Sequence, residues 1–148
     1  MKSLDAELEA LGVVDEPKPL PLVREIAKPP HAHWDRCKPW IKEGLHGSLI
    51  SVEDIERLLN EGKAVLWPGQ KCAIVTEFVD YSSGERASQV MSAGGDLDEI
   101  MSMVPGMEAY ARLNGCKVSL VEGRMGWKKA LEPMGYMFQS ITIRKVLD

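Results

Sequence analysis

The sequence lacks both a long hydrophobic run and an excess of basic residues. No run approaches the roughly 18 or more apolar residues that a membrane-spanning helix needs. Eighteen Lys and Arg stand against 22 Asp and Glu, which gives a formal net charge of −4. A chain with this balance has no general attraction for the phosphate backbone. We therefore expect no membrane segment and no nucleic-acid partner.

The acidic start, MKSLDAELEAL, also lacks the basic-then-apolar order of a signal peptide, so we expect a cytoplasmic protein.

Cysteine and histidine are also scarce. The three cysteines, Cys37, Cys72 and Cys116, are an odd number at wide spacing. This pattern indicates neither a disulfide framework nor a zinc site. His31 and His33 form a His-x-His pair without the further ligands that a closed metal site needs. We predict reduced, mostly buried cysteines and no metal site.

Length and composition predict one folded domain with an N-terminal appendage. The 148 residues, 45% apolar and 27% charged, suffice for one domain with a real core. Five prolines fall between residues 17 and 30, which favours an extended arm that follows a short amphipathic segment over residues 3–11. We therefore divide the chain into an arm, residues 1–33, and a folded domain, residues 34–148. The arm is either a flexible leader or a segment that docks on a neighbouring protein.

The first part of the domain predicts two helices and a hairpin. Apolar residues recur every three to four positions over residues 33–45, which indicates an amphipathic helix. Ser51 followed by an acid at the third position has the form of a capping box and predicts a second helix that ends near residue 60. Residues 63–67 and 72–79 are β-like and joined by a short turn, so they should pair antiparallel.

The second part predicts a strand, a helix and a parallel strand. An apolar segment, residues 87–91, leads to the pair Gly94-Gly95, which we interpret as a turn, and helical spacing follows over residues 97–111. Asn114-Gly115 stops this helix, and residues 117–121 are β-like. A second, shorter helix contains Trp127 and Leu131, and a β-branched segment, residues 138–147, ends the chain.

These elements predict a mixed α/β (α+β) fold. We expect a sheet of about five strands, with three antiparallel strands, one βαβ crossover and a final antiparallel strand, flanked by about four helices.

Several motifs in this order resemble a known superfamily. They are LWPGQKCAIVTEF, SAGGDLDEI, NGCKVSLVEGRMGWKKAL and MGY, and the resemblance covers residues 34–147. The pattern resembles the acetyl-coenzyme A half of the GNAT superfamily of N-acetyltransferases. More narrowly, it is similar to the GNAT-like proteins of tailed phages and prophages. The resemblance implies a GNAT-like fold and acetyl-CoA as cofactor if the protein is active.

The resemblance also implies where the coenzyme would bind. In the family, backbone N–H groups of a glycine-containing turn at a helix N-terminus hold the pyrophosphate. Arg124 is a further candidate for a phosphate contact, and its alternative is a surface arginine. Asp96 and Asp98 place negative charge where the pyrophosphate would lie, so the alternative is a simple turn with Asp96 as helix cap. The matching positions are Ala93, Gly94, Gly95, Asp96 and Leu97.

The catalytic residues that the resemblance implies are incomplete. Many family members use a tyrosine four residues before the helix-ending glycine to protonate the leaving thiolate. Counting back from Gly135 gives Leu131, which has no proton to donate. Glu77 and Glu122 are candidate general bases that would act through water. The alternative is that both are ordinary carboxylates at strand ends.

The sequence and its resemblance leave two alternative functions, a scaffold and an enzyme. The first is a non-catalytic GNAT-like scaffold of a tailed phage, made in the host cytoplasm and working as a virion or assembly component. It would dock on other phage or virion proteins through residues 1–33 and form homo-oligomers in an assembly. The alternative is an acetyl-CoA-dependent N-acetyltransferase that acts on an amine of a protein or small molecule. The missing tyrosine and the acidic turn favour the scaffold, although fold alone does not decide function.

Overall fold

The computed structural model describes residues 32–123, 126–140 and 142–147. The predicted amphipathic segment and the proline-rich arm, up to residue 31, lie outside the described residues, as does Arg124. Within the described ranges no helix is long and apolar enough to cross a membrane.

Two helices precede the sheet, as predicted. Helix α1, Ala32–Gly44, buries one stripe of its surface, namely Trp34, Cys37, Ile41 and the following Leu45. Helix α2, Val52–Asn60, begins with the predicted capping box. The N–H of Asp54 donates to Ser51 Oγ at 3.2 Å, and the N–H of Ser51 donates to Asp54 Oδ2 at 3.0 Å. Hydrogen bonds from the Ser51 backbone N–H and then from its side chain stabilise the ionised carboxylate and lower the pKa of Asp54.

Among the described residues the sheet has four strands, in the order β1-β2-β3-β4. Strands β1 (Ala64–Pro68), β2 (Cys72–Asp80) and β3 (Arg86–Gly95) are antiparallel to their neighbours. Helix α3, Leu97–Leu113, then crosses to β4, Val118–Val121, which is parallel to β3. The predicted hairpin, crossover and mixed α/β class are confirmed.

The short helix that follows β4 is also present. Helix α4 spans Gly126–Leu131, and a 3₁₀ turn, Glu132–Met134, continues it. Gly135 ends the turn with a φ of +90°, a conformation that glycine adopts without steric cost.

Two hydrophobic clusters cover the two sides of the sheet. The α1-side cluster is mostly buried and joins α1 and α2 to the sheet; it contains Trp34, Cys37, Ile41, Leu45, Val52, Ile55, Leu59, Ala64, Leu66, Ala73 and Val75, with Trp40, Leu58 and Met91 partly buried. The α3-side cluster has a smaller buried part and a larger half-buried part. Its buried members are Trp67, Cys72, Ile74, Ile100, Val104, Met107 and Leu131.

The structure corrects the prediction of a glycine turn after residue 91. Strand β3 continues through the glycine pair, with Gly94 opposite Ala73 and Gly95 opposite Cys72. Asp96 alone joins β3 to α3. Glycine here permits close packing within a strand, because a Cβ on Gly94 would overlap the Trp40 carbonyl oxygen.

The structure also differs from the prediction of a final antiparallel strand. None of the described residues at 136–140 and 142–147 lies in a strand, so the sheet has four strands where we expected about five. The side chains of Ile143, Val146 and Leu147 are exposed. β-Branched composition is a preference that becomes a strand only when an edge pairs with it, and this segment has no such pairing with a described residue.

Candidate functional site

Strands β3 and β4 separate at one end of the sheet. They pair only from Ala87 opposite Val118 to Val90 opposite Val121, whereas β3 stays paired with β2 as far as Gly95. The end of β3 therefore has no strand neighbour on its β4 side among the described residues. This opening between two parallel strands is the main irregularity of the sheet.

A β-bulge lies where the two strands separate. Val75 lies opposite Ser92 and Thr76 lies opposite Val90, so Met91 is the extra residue on β3. A bulge bends its strand, increases the local twist and leaves one residue outside the ladder. Because the pairing with β4 ends at Val90, the bulge turns β3 away from β4 at that point.

Half-buried apolar side chains border the opening on its α3 side. They pack on the α3-side cluster and remain partly open to solvent. Strands β3 and β4 and helices α3 and α4 each contribute, so the surface joins four elements. We call it the open-end surface, and it consists of Val90, Ala93, Met101, Val121 and Trp127.

Trp127 is held against the end of β4. A Cβ placed on Gly123 would lie only 2.8 Å from Trp127 Cδ1, so the indole ring rests directly on the backbone there. Glycine at position 123 thus lets the ring approach the chain just after β4. The ring becomes one wall of the open-end surface.

On the α1 side the same end of β3 is closed. Ser92 Oγ donates a hydrogen bond to the carbonyl oxygen of Ile41 in α1, at 2.8 Å. Gly94 lies against the Trp40 carbonyl, and a Cβ on Gly44 would overlap Ser92. Backbone-to-backbone packing of this kind excludes solvent and fixes α1 across β3.

Gly95 is also required by packing. Its φ is +102°, and a Cβ there would overlap the Lys71 carbonyl oxygen and lie 2.6 Å from the Cα of Cys72. Any side chain would be strained by the backbone and by the neighbouring hairpin. A substitution at Gly95 therefore tests the fold before it tests ligand binding.

The first turn of α3 uses several of its own hydrogen-bonding groups. Asp96 is the helix cap, because its Oδ2 accepts from the N–H of Glu99 at 3.1 Å. The N–H of Asp96 donates to the Lys71 carbonyl at 2.9 Å. The N–H groups of Leu97 and Asp98 are then the helix-end donors that an anion could use. The carboxylates of Asp96, Asp98 and Glu99 oppose such an anion.

Glu99 fastens α3 to the β1–β2 turn. Its Oε1 accepts from the N–H of Lys71 at 2.8 Å. Hydrogen bonds from the Cys72 thiol and then from the Lys71 N–H lower the pKa of Glu99. Burial, together with Glu99, raises the pKa of the Cys72 thiol to about 12. Such a thiol stays protonated at neutral pH and is not a nucleophile.

Glu77 and Glu122 approach each other on the α1 side of the sheet. Glu77 lies opposite Ala64, a member of the α1-side cluster, and opposite Gln89 on β3. Gln89 lies opposite Leu120, and Glu122 follows two residues later, so alternation puts it on the same side. Burial, and then the charge of Glu122, raise the pKa of Glu77. A carboxylate with a raised pKa is a stronger base.

Leu131, the position that the resemblance indicates for a proton donor, and Tyr136, the residue after the helix-ending glycine, both have structural roles. Leu131 is buried in the α3-side cluster. The Tyr136 hydroxyl donates to Glu108 Oε2 at 2.8 Å and lies 2.9 Å from Ser119 Oγ. Burial is the main cause that raises the pKa of Tyr136 to about 12. Neither side chain is a ready proton donor for a leaving group.

The structure thus brings together some of the residues that the sequence indicated. Glu77 and Glu122 lie on the same side of the sheet with β3 between them, near enough for the charge of Glu122 to raise the pKa of Glu77, and Ala93 borders the opening. Gly94 and Gly95 lie in β3, and Asp96 is the helix cap that the alternative interpretation expected. Sequence reasoning missed the Met91 bulge and the contact between Glu99 and Lys71, which no local motif marks.

The sequence matches no protein-family model and no curated protein. Solved structures of similar shape do exist. A ribosomal-protein-alanine N-acetyltransferase from Brucella melitensis biovar Abortus 2308 has a TM-score of 0.55 and 12% identity, over 76% of this chain and 94% of that chain. A Trypanosoma brucei acetyltransferase has a TM-score of 0.52 and 11% identity, over 66% and 78%.

A third similar structure belongs to a protein that is named as a regulator and not as an acetyltransferase. It is a transcriptional regulator from Bacillus halodurans C-125, with a TM-score of 0.50 and 12% identity, over 65% of this chain and 74% of that chain. At such identities the likeness concerns the fold alone, and one fold supports several functions. The structural neighbours include acetyltransferases, and the fold of this chain is GNAT-like, as predicted.

Proposed function

We propose that the protein is an acyl-coenzyme A-dependent N-acyltransferase that acetylates an amine. The observation that carries this proposal is the opening between β3 and β4, bordered by the half-buried open-end surface. Parallel strands that part beyond the Val90–Val121 pair leave room for an extended ligand between them. The GNAT-like fold supports the same reaction class.

The open-end surface suits the apolar and amide-containing arm of the coenzyme. Ala93 is small, and Met101 is flexible and polarizable, so both adapt to a narrow chain. Trp127 supplies a flat wall on the opposite side. The phosphates of the coenzyme would reach the N–H groups of Leu97 and Asp98 at the start of α3. The Asp98 carboxylate weakens this contact, and we expect only micromolar-range affinity.

The carboxylate pair on the α1 side supplies the base. Acetyl-CoA provides the acyl group as a thioester, and the amine must lose a proton as it attacks the carbonyl carbon. Glu77, with its raised pKa, accepts that proton through a water molecule, and Glu122 helps to keep the pKa raised. Because Leu131 has no proton to give, the departing thiolate takes its proton from solvent.

The test is an acetyl-transfer assay with acetyl-CoA and a panel of primary amines, which includes peptides with free N-termini. Release of the free thiol and mass gain of the acceptor are both measured. We expect Glu77→Gln to lower kcat by about 100-fold with little change in KM, the range that a lost general base causes. Glu85→Gln, in an exposed turn, is the matched control and should leave kcat unchanged. Absence of transfer to every amine would contradict the proposal.

A non-catalytic GNAT-like scaffold is the second candidate. The three carboxylates in and before the first turn of α3, and the buried Leu131, favour it, because both disfavour coenzyme chemistry. The sequence resemblance of residues 34–147 supports a place in a tailed phage. This candidate predicts no acetyl-CoA binding and stable association of the full chain with a phage structural protein. Loss of that association on deletion of residues 1–31 would support the docking arm.

A further inference from the structure

Two segments that are far apart in the chain meet and expose apolar side chains. Arg144 Nη1 donates to the Gly47 carbonyl at 2.9 Å, which brings the C-terminal segment to the loop between α1 and α2. Leu49 in the loop and Ile143 beside Arg144 are 85% and 87% exposed. We call this set the loop–tail surface, and it consists of Leu49, Ile50, Ile143, Val146 and Leu147.

The loop–tail surface is both apolar and basic. Single exposed apolar side chains are ordinary, whereas several in adjoining segments mark a surface that binds another part of a protein. The two hydrophobic clusters of the described residues contain none of the five. Within residues 45–50 and 142–147, all of which are described, the formal charges are those of Arg144 and Lys145, and both are positive. A segment that suits this surface is therefore apolar on one face and acidic beside it.

The N-terminal segment of the same chain has this chemistry. Leu4, Leu8 and Leu11 follow the i, i+4, i+7 spacing that places three side chains along one face of a helix. Residues 3–16 contain five acidic residues and no basic one. A helix of this length is marginal alone in water and becomes stable when its apolar face is covered. The segment and the loop–tail surface therefore complement each other in polarity and in charge.

The connection between them is long enough. The arm enters the domain at Ala32, at the start of α1, and the loop–tail surface begins just beyond the other end of this helix, at Gly47. A helix of 13 residues is about 20 Å long. Residues 12–31 would span about 25 Å as a flexible chain and about 60 Å as an extended, proline-rich chain. Such a tether keeps the segment at a high effective concentration near the surface.

We propose that residues 3–11 form a helix that docks on the loop–tail surface of the same chain. The three leucines of the segment would cover the exposed apolar side chains. Asp5 and Glu7, which border the leucine face on its two sides, would lie near Arg144 and Lys145. The arm is then an internal ligand of its own domain, and an outside protein that binds either part must displace the other. The proposal holds for both functions proposed above.

The first experiment uses the full chain with a spin label on Ser3→Cys. Cys116→Ser is added, so that the remaining native thiols, Cys37 and Cys72, are both buried. The measurement is the paramagnetic broadening of methyl signals in NMR spectra. We expect strong broadening at the loop–tail surface and little at Leu97.

Leu97 is the internal reference because it lies near the base of the arm. It is half exposed and begins α3. The N–H of the preceding Asp96 donates to Lys71 in the β1–β2 turn, and Arg36 near the start of α1 donates to the same turn. An undirected arm would therefore meet Leu97 at least as often as Leu49. Equal broadening at these two residues, or none at either, would overturn the proposal.

A matched pair of variants tests the face of the helix. Leu8→Ser should lower the docking equilibrium constant at least about tenfold, because it removes one buried leucine side chain. Ala6→Ser introduces the same residue on the opposite face and should leave docking unchanged. Broadening that survives in Leu8→Ser, or that is lost equally in both variants, would contradict a leucine-mediated contact.

A mixed sample separates docking within one chain from docking between copies. Spin-labelled protein without isotopes is mixed with isotope-labelled wild type. Unbroadened signals of the loop–tail surface in this mixture would support docking within the chain. Broadening of these signals in the mixture would overturn the proposal in favour of contact with a second copy.

Discussion

The two sides of the sheet are packed in different ways. On the α1 side most members of the cluster are buried, and α1 lies so close to β3 that only glycine fits at position 94. On the α3 side more of the described members are half-buried than buried, and they gather where β3 and β4 part. One side of the same sheet is closed by a helix, and the other remains open to a ligand.

This difference indicates where close packing supports the fold and where the sheet offers a surface to a ligand. A close-packed interface tolerates no added volume, because the surrounding backbone has nowhere to move. A half-buried apolar surface is packed less tightly, and a bound molecule can cover the part that is still exposed to solvent. Substitutions in the close-packed contact between α1 and β3 should therefore change stability, and substitutions in the open-end surface should change ligand affinity.

The largest expected effect is at Gly94. Gly94→Ala introduces a methyl group that would overlap the Trp40 carbonyl, and we expect a loss of about 3 kcal/mol in the free energy of unfolding. The measurement is denaturant unfolding. Gly106→Ala in α3 is the control. It meets no atom within 4 Å and should stabilise the protein by about 0.5–1 kcal/mol, as alanine does inside a helix. Equal effects at both sites would contradict the packing difference.

The contact between α3 and the β1–β2 turn should depend on pH. Hydrogen bonds from Cys72 and Lys71 lower the folded-state pKa of Glu99 below its unfolded value of about 4.3. Its stabilising contribution is therefore present above pH 4.3 and is lost as the pH falls through the lower folded pKa. We expect wild type to exceed Glu99→Gln in stability at pH 7 and to lose that advantage between about pH 5 and 3. A constant difference across this range would contradict the assignment.

A smaller effect is expected for ligand affinity at the start of α3. Asp98 is exposed and carries negative charge beside the N–H groups that would meet the coenzyme phosphates. Asp98→Asn should strengthen acetyl-CoA binding about threefold, the scale of one exposed charge. Glu53→Gln, in the first turn of α2, is a matched control and should leave the affinity unchanged. Equal affinities of Asp98→Asn and wild type would mean that the phosphates bind elsewhere.

The smallest expected effect concerns Glu77. Its contribution to stability changes with pH in the direction opposite to that of Glu99. Burial and Glu122 raise the folded-state pKa of Glu77. The contribution of this group is therefore favourable below its unfolded pKa of about 4.3 and is lost as the pH rises through the higher folded pKa. Glu77→Gln should be more stable than wild type at pH 7 by about a few tenths of a kcal/mol, because the group is partly exposed. The difference should disappear near pH 4 in thermal unfolding.

Local patterns predicted much of the fold. The Ser51 capping box and the helical spacing of residues 97–111 involve neighbours in the sequence, and both are confirmed. The role of Gly94 depends on Trp40, far away in the chain, so the sequence pattern suggested a turn where the structure has a strand. Residues 138–147 have the β-branched composition of a strand, but composition does not show which sheet edge is available.

The candidate site was less predictable than the fold. Glu77 and Glu122 were selected by type, and only the register of three strands shows that they lie on the same side of the sheet. The opening between β3 and β4 depends on the Met91 bulge, a shift of one residue that side-chain alternation does not reveal. The glycine pair resembled a phosphate-binding turn and was therefore predicted as one, whereas the apolar residues around Ala93 form no recognisable motif.

The open-end surface is tested as a coenzyme site by calorimetric titration of the protein with acetyl-CoA, in which wild type is compared with Ala93→Phe. The larger ring would fill the open-end surface, while thermal unfolding reports whether the variant keeps its fold. We predict micromolar-range binding to wild type and at least about tenfold weaker binding to a folded Ala93→Phe variant. No heat with wild type at about 100 µM protein, or equal affinity in both proteins, would contradict the claim that the open side of the sheet binds the coenzyme.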